Sequence, residues 1–411
     1  MAELITLTNG VRVALDPMPG LATTAVGVYV RVGTRFEAAV ENGVAHLFEH
    51  MAFKGAGGRD AKTFAEAIES VGGMVNASTG YERTGYYARV TQEHACFALD
   101  LLSDIVLAPH WDPEDLEKEK SVVLQEMGEA FDQADDRVFE LQQGVVFPDQ
   151  PLGRPILGQA DTLAGINVGT LQAFRDKHLS GPSLVVAAAG AFDRDRLLAA
   201  AQARFGGLAS RRDVTPMPAV AHGGVVREAR KLEQTHLTLS WPGVATGHAD
   251  AYTMRVLAEI LGGGMASRLF QEVREKRGLV YAIDAFAEGY DDVGRMGVYA
   301  GCAPKDADEV IRLSTAGLED LALHGPTEAE LARAKAVLRA SILMGAEAPA
   351  ARADARASQV FLRGELMDFE SLAARFEAVP GEDVARVAAR ALAGPVACAQ
   401  VGPKGPKGGR G

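Results

Sequence analysis

The sequence predicts an α+β fold of two homologous domains, each an antiparallel β-sheet packed with α-helices. Three observations lead there. The chain has 411 residues, more than one ordinary core organises. Strand-type alternation and helix-type periodicity succeed one another along it, and the order of elements in the first half recurs in the second. Domains are expected at 1–207 and 226–400, joined by a linker at 208–225, where GGLASRRDVTPMPAVAHGGV loses periodicity and gathers Gly and Pro. The Gly/Pro/basic segment 401–411 cannot bury a core and is expected to be disordered.

The elements follow in order. Val11, Val13 and Leu15, then Val26, Val28, Val30 and Val32, alternate as strands do. Helical periodicity runs from Gly43 to about Phe53, and again from about Ala61 to Val71, ending at Gly72-Gly73. Two strands follow, VNASTGYE and TGYYARVT, then a helix over about Gln92 to Leu107. Asp112 and Pro113 form an N-cap and first-turn pair for a long helix reaching roughly Val145. SLVVAAAG reads as a fully buried strand. After the linker come strand HLTLSW, helices AYTMRVLAEILGGG and SRLFQEVREKRG, and strands LVYAIDAFAEGY and GRMGVYAGCAP.

Composition narrows the function. A net charge of −12 argues against nucleic acid as a partner, since phosphate binding needs a basic surface. No apolar run approaches a membrane span. The opening residues have neither the basic-then-apolar pattern of a secretory signal nor a transit-peptide composition. Cys96, Cys302 and Cys398 are far apart and not in metal spacing, so they read as buried small hydrophobes in a reducing cytoplasm.

The chemistry concentrates in His46-Leu47-Phe48-Glu49-His50. On a helix, positions i and i+4 share a face, so two imidazoles can converge on one ion with Glu49 beside them. A catalytic zinc site needs a third protein ligand and leaves a fourth position to water. Glu119 and Glu126, two helical turns apart, share a face of the helix after Pro113, flanked by Val122, Val123 and Leu124. That helix must pack inward, where a carboxylate is costly unless paired or metal-bound.

HLFEH with these downstream glutamates resembles the pitrilysin-type (inverzincin) zinc metallopeptidases, within them the mitochondrial processing peptidase beta subunit and its bacterial homologues. GTRFE, GGMVNASTGYERTGYYARV, VVLQEM, PLGRPILG and SRLFQEVREKRGLVYAI carry the resemblance over residues 4 to 400. It implies a zinc endopeptidase whose halves enclose a peptide-binding chamber, with one Zn2+ per chain on His46, His50 and Glu126. Glu49 would be the general base and Glu119 a carboxylate orienting a ligand. The strand around Asn76 and Ala77 would bind an extended peptide through main-chain hydrogen bonds. Arg274 and Tyr281 would stabilise the oxyanion. Asp136 and Glu140, four apart on the same long helix, would accept a basic residue near the cut. A homodimer or a heterodimer with a homologous chain is implied as well. The rival expectation is a non-catalytic scaffold or partner subunit; such chains typically lose the ligands or the Arg–Tyr pair, and this chain keeps both.

Overall fold

The computed structural model describes residues 2–211 and 214–403. Arg212 and Asp213 of the expected linker, and 404–411 of the expected tail, lie outside the described residues. In chain order the elements begin with strands β1 (Glu3–Thr6), β2 (Arg12–Pro17) and β3 (Thr23–Val30), then helix α1 (Val44–Ala52). A two-residue hairpin, β4 (Gly55–Ala56) and β5 (Arg59–Asp60), leads to α2 (Ala61–Glu69), β6 (Met74–Thr79), β7 (Thr84–Thr91) and α3 (Ala95–Leu107). Helices α4 (Pro113–Asp132), α5 (Ala134–Val146), α6 (Ala160–Gly165) and α7 (Val168–His178) precede β8 (Leu184–Gly190) and α8 (Arg194–Phe205). The second half holds β9 (Gly224–Ala229), β10 (Thr235–Pro242), α9 (Ala251–Gly262), β11 (Val280–Gly289) and β12 (Gly294–Cys302). It ends with α10 (Ala307–His324), α11 (Glu328–Gly345), α12 (Pro349–Arg363), α13 (Phe369–Glu377), α14 (Gly381–Leu392) and β13 (Ala397–Gly402).

Besides the small β4-β5 pair, two large sheets result, ordered β1-β2-β8-β3-β7-β6 and β11-β12-β10-β13-β9. Read from opposite ends, β2-β8-β3-β7-β6 matches β9-β13-β10-β12-β11, and in both only the first pair is parallel. The repeat seen in element order is therefore a repeat of topology, and each half is α+β as expected. Each sheet carries one parallel pair in an otherwise antiparallel ladder.

The chain forms two compact units. The first gathers residues up to Met127 with Arg154–Met217 and Met344–Asp368. The second gathers Gly128–Gly153, Pro218–Leu343 and the chain from Phe369 on. In the first unit, Val26, Val28 and Val30 bury one face of the sheet against Leu47 and Met51 of α1 and Leu99 and Leu102 of α3. The other face packs Ala25, Val185 and Ala187 against Ala353, Ala357 and Val360 of α12. Covering both faces is why β3 and β8 are almost continuously apolar. Asp16, 1% exposed, fixes α12 by accepting hydrogen bonds from Arg352 and Arg356. In the second unit α9, α10 and α14 cover one face of the sheet and α5 the other.

One helix expected as continuous is not. The long helix after Pro113 stops at Asp132 and restarts at Ala134, with Gln133 between them in an extended conformation (ψ 102). The backbone turns there because α4 and α5 bury their apolar residues in different units: Leu116 and Val123 in the first, Ala134 and Val138 in the second.

Candidate metal centre

Helix α1 is amphipathic by necessity. Leu47, Phe48 and Met51 face the core, which leaves His46, Glu49 and His50 on the half-buried opposite side. One turn separates the imidazoles, whose ring centroids are 4.6 Å apart. Helix α4 brings Glu126 to them, its Oε2 lying 3.4 Å from His50 Nε2 and 3.9 Å from His46 Nε2. Ligands about 2 Å from a tetrahedral zinc ion stand about 3.3 Å apart, so this spacing suits that ion with little adjustment. Among the described residues the three form the one cluster with metal-ligand spacing, their donor atoms all within 4.8 Å.

The protonation states suit a cation too. Burial, with His50 adding to it, pushes the His46 imidazole down to about 4, so it is neutral and able to ligate at physiological pH. His50 has its second nitrogen occupied, since Nδ1 is 3.0 Å from Glu119 Oε2. The other oxygen of Glu119 meets Lys54 Nζ at 2.5 Å, so this carboxylate, 6% exposed, is paired on both sides. His46 Nδ1, by contrast, is buried without a hydrogen-bond partner. Two imidazoles and a carboxylate, one imidazole fixed by a second carboxylate, are the donor set that zinc prefers.

Glu49 points toward the edge strand β6, where Thr79 Oγ1 donates to its Oε2 at 2.5 Å. Burial raises the Glu49 pKa, and the Thr79 hydrogen bond opposes that. Thr79 shares a strand face with buried Ala77, so the period of two in VNAST could have singled it out. Lys54 had no such signal, because its contact depends on how α4 crosses α1.

The other candidates fall on different elements. Asn76 and Ala77 lie on β6, the outer strand of the first sheet, and the Asn76 side chain accepts from the Ala77 N–H. Arg274 sits in a π-helical turn, Phe270–Glu275, and its guanidinium lies 5.7 Å from the Tyr281 ring. Tyr281 is 76% exposed. Asp136 and Glu140 are on α5, not on the helix that carries Glu126; Asp136 is exposed, and Glu140 is bonded by Arg137 at 2.5 Å. The apolar run beside Glu126 packs inward only in part, since Val123 is buried while Val122 and Leu124 are exposed.

Comparison with known proteins agrees with this geometry. Residues 12–160 match the family model described as Insulinase (Peptidase family M16), and residues 165–338 match the Peptidase M16 inactive domain. An uncharacterized zinc protease of Streptomyces coelicolor is 35% identical over 97% of this chain and 89% of its own. One from Mycobacterium tuberculosis is 36% identical over 98% of this chain and 93% of its own. A crystal structure from Pseudomonas fluorescens, described as a peptidase M16 inactive domain, has the same fold, with a TM-score of 0.90 at 20% identity over 98% of both chains.

Proposed function

The chain belongs to the M16 (insulinase) peptidase family, and from that footing we propose that it is a zinc endopeptidase cutting extended peptides, of the processing-peptidase type. The observation that carries this reading is the convergence of His46, His50 and Glu126 with Glu49 beside them. When bound, zinc supplies Lewis acidity that activates water and polarises the scissile carbonyl. Glu49 takes the proton from the attacking water and hands it to the leaving amine. Its burial-raised pKa and its anchor on Thr79 suit that role. Glu119 keeps the His50 ring turned toward the metal.

The substrate's main chain pairs with the free edge of β6 at Asn76 and Ala77, displacing the Asn76 side chain from the Ala77 N–H. Arg274 and Tyr281 donate to the developing oxyanion; the exposure of Tyr281 leaves its hydroxyl available for that. Asp136 and Glu140 take a basic side chain near the cut, where a substrate guanidinium competes with Arg137 for Glu140. The catalytic half is 1–207 and the binding half 226–400. The enzyme works in the cytoplasm, consistent with its three unpaired cysteines, as a dimer with itself or a homologous chain. No helix among the described residues is long and apolar enough to cross a membrane.

The test is to purify the chain, measure bound zinc and profile cleavage of a mixed peptide library, with Glu49→Gln as control. Zinc-dependent internal cleavage enriched beside Arg or Lys is expected. Zinc binding without any cleavage would sink the enzymatic reading, and cleavage without a basic preference would remove the acidic pocket alone.

A further inference from the structure

Helix α1 needs a cap that its own N-cap position cannot supply. Gly43 stands there with φ +97, a conformation L side chains rarely adopt, and a Cβ would come within 2.9 Å of the Leu157 carbonyl oxygen. A Ser, Thr or Asp there would be strained, and the helix has no side-chain cap from that residue. Glu37, six residues upstream and 4% exposed, fills the role. Its Oε2 accepts from the Gly43 N–H at 2.9 Å and from Asn42 Nδ2 at 2.8 Å. Its Oε1 accepts from the Ala45 N–H at 2.9 Å. Arg154 Nη1 in turn donates to the Glu37 backbone carbonyl at 2.9 Å, which ties the segment in place.

The consequence falls on one ligand. His46 follows Ala45 directly, in the first turn, and its Nδ1 has no hydrogen-bond partner to orient the ring. His50 lies one turn further on and has Glu119. The place of His46 is thus set by the main chain of the first turn, and that turn is set by Glu37.

We propose that Glu37 is the positioning residue for His46: its carboxylate, as the remote cap of α1, holds the first imidazole in register with His50 and Glu126. This rests on the zinc-peptidase reading. In Glu37→Gln the amide keeps one acceptor but turns an NH2 group toward N–H donors, so the first turn loosens without a change of volume.

The measurements are the zinc dissociation constant of the full chain by chelator competition, amide hydrogen exchange at Gly43 and Ala45 in metal-free protein, and the visible spectrum with Co2+ in place of zinc. Glu37→Gln is expected to weaken zinc about 10- to 100-fold, to speed exchange at those two amides and to alter the Co2+ ligand-field bands. Asn42→Ala, which removes one donor from the carboxylate, should move all three the same way by less, and it carries the test if Glu37→Gln does not fold. Faster exchange with an unchanged zinc constant and spectrum would overturn the proposal, leaving Glu37 a stability cap. Unchanged exchange would overturn it equally. A wild-type chain that bound no zinc would remove the underlying reading, whereas normal wild-type binding with indifferent variants removes only this inference.

Discussion

Exchanging Glu119 for Gln removes a charge at nearly constant volume and so isolates the bond that orients His50. Native Oε2 faces His50 Nδ1 at 3.0 Å while Oε1 meets Lys54 Nζ at 2.5 Å. An amide oxygen can serve one of these donors, and its NH2 must then face the other. Hydrogen bonds to charged groups are worth about 1.5–3 kcal/mol and neutral ones about half that. The His50 ring therefore loses about 1–2 kcal/mol of restraint. Lys54, a third exposed and no longer paired with a carboxylate, adds repulsion toward a bound cation in the same direction. Zinc affinity should fall by about 10- to 100-fold, the usual range for a partner of a metal-bound imidazole. Chelator competition reads this directly, with unfolding of the metal-free protein measured alongside to show that the fold survives. A wild-type dissociation constant would refute the reasoning. So would complete loss of metal, because Glu119 would then be a ligand.

Glu49→Gln should retain full zinc content and lose at least about 10²- to 10⁴-fold in turnover, checked by elemental analysis and peptide hydrolysis. On the proposed oxyanion role, Arg274→Ala and Tyr281→Phe should lower kcat more than they raise KM, as steady-state kinetics would read, because an oxyanion donor helps most in the transition state. Asp16→Asn leaves Arg352 and Arg356 facing a neutral group in a buried place, and should destabilise the first unit by about 3–5 kcal/mol in denaturant titrations. His178, 5% exposed, is held down at about 4 by burial, with Lys177 and Arg211 adding to it. The unfolded chain takes up that proton below about 6.5, so the stability His178 contributes is full above that pH and fades as pH falls toward 4. His178→Phe should remove roughly 2 kcal/mol of the stability loss of metal-free protein between about pH 7 and pH 5.

Much of the site was legible because its chemistry is local. Two histidines at i and i+4 declare a shared face whatever surrounds them, and Glu119 and Glu126 share a face of α4 by the same arithmetic. The repeat was legible because each half must bury a sheet under helices, which imposes the same succession of periodicities. What periodicity does not encode is the surface that an amphipathic helix packs against. Val138 gives α5 an apolar stripe, and Val360 gives one to α12, but neither stripe says that α5 covers the second sheet and α12 the first. The break at Gln133 was hidden for the same reason, since no Gly or Pro marks it. Glu37 was invisible as a cap because its partners are main-chain N–H groups brought to it by a left-handed glycine.

The electrostatics tie these parts into one device. Glu49, Glu119 and Glu126 converge on a half-buried face with two imidazoles, one of them kept neutral by burial. Lys54 offsets one of the three carboxylates. The remaining negative charge is poorly solvated; burial raises the Glu49 pKa, while the Thr79 hydrogen bond and His50 oppose that and the charge of Glu126 adds to it. Such an excess favours a divalent cation over a monovalent one, because attraction scales with charge while the cost of assembling the carboxylates is met by folding. The apolar residues of α1 keep the helix from moving away from that charge, and Glu37 and Glu119 fix its two imidazoles by separate means, main chain for His46 and ring nitrogen for His50. A motif of five residues supplies two of the three donors, and Glu126 of α4 supplies the third. Zinc affinity should depend on partners drawn from the segments before and after it, so a chain that keeps HLFEH but changes Glu37 or Glu119 should hold its metal about 10- to 100-fold more weakly.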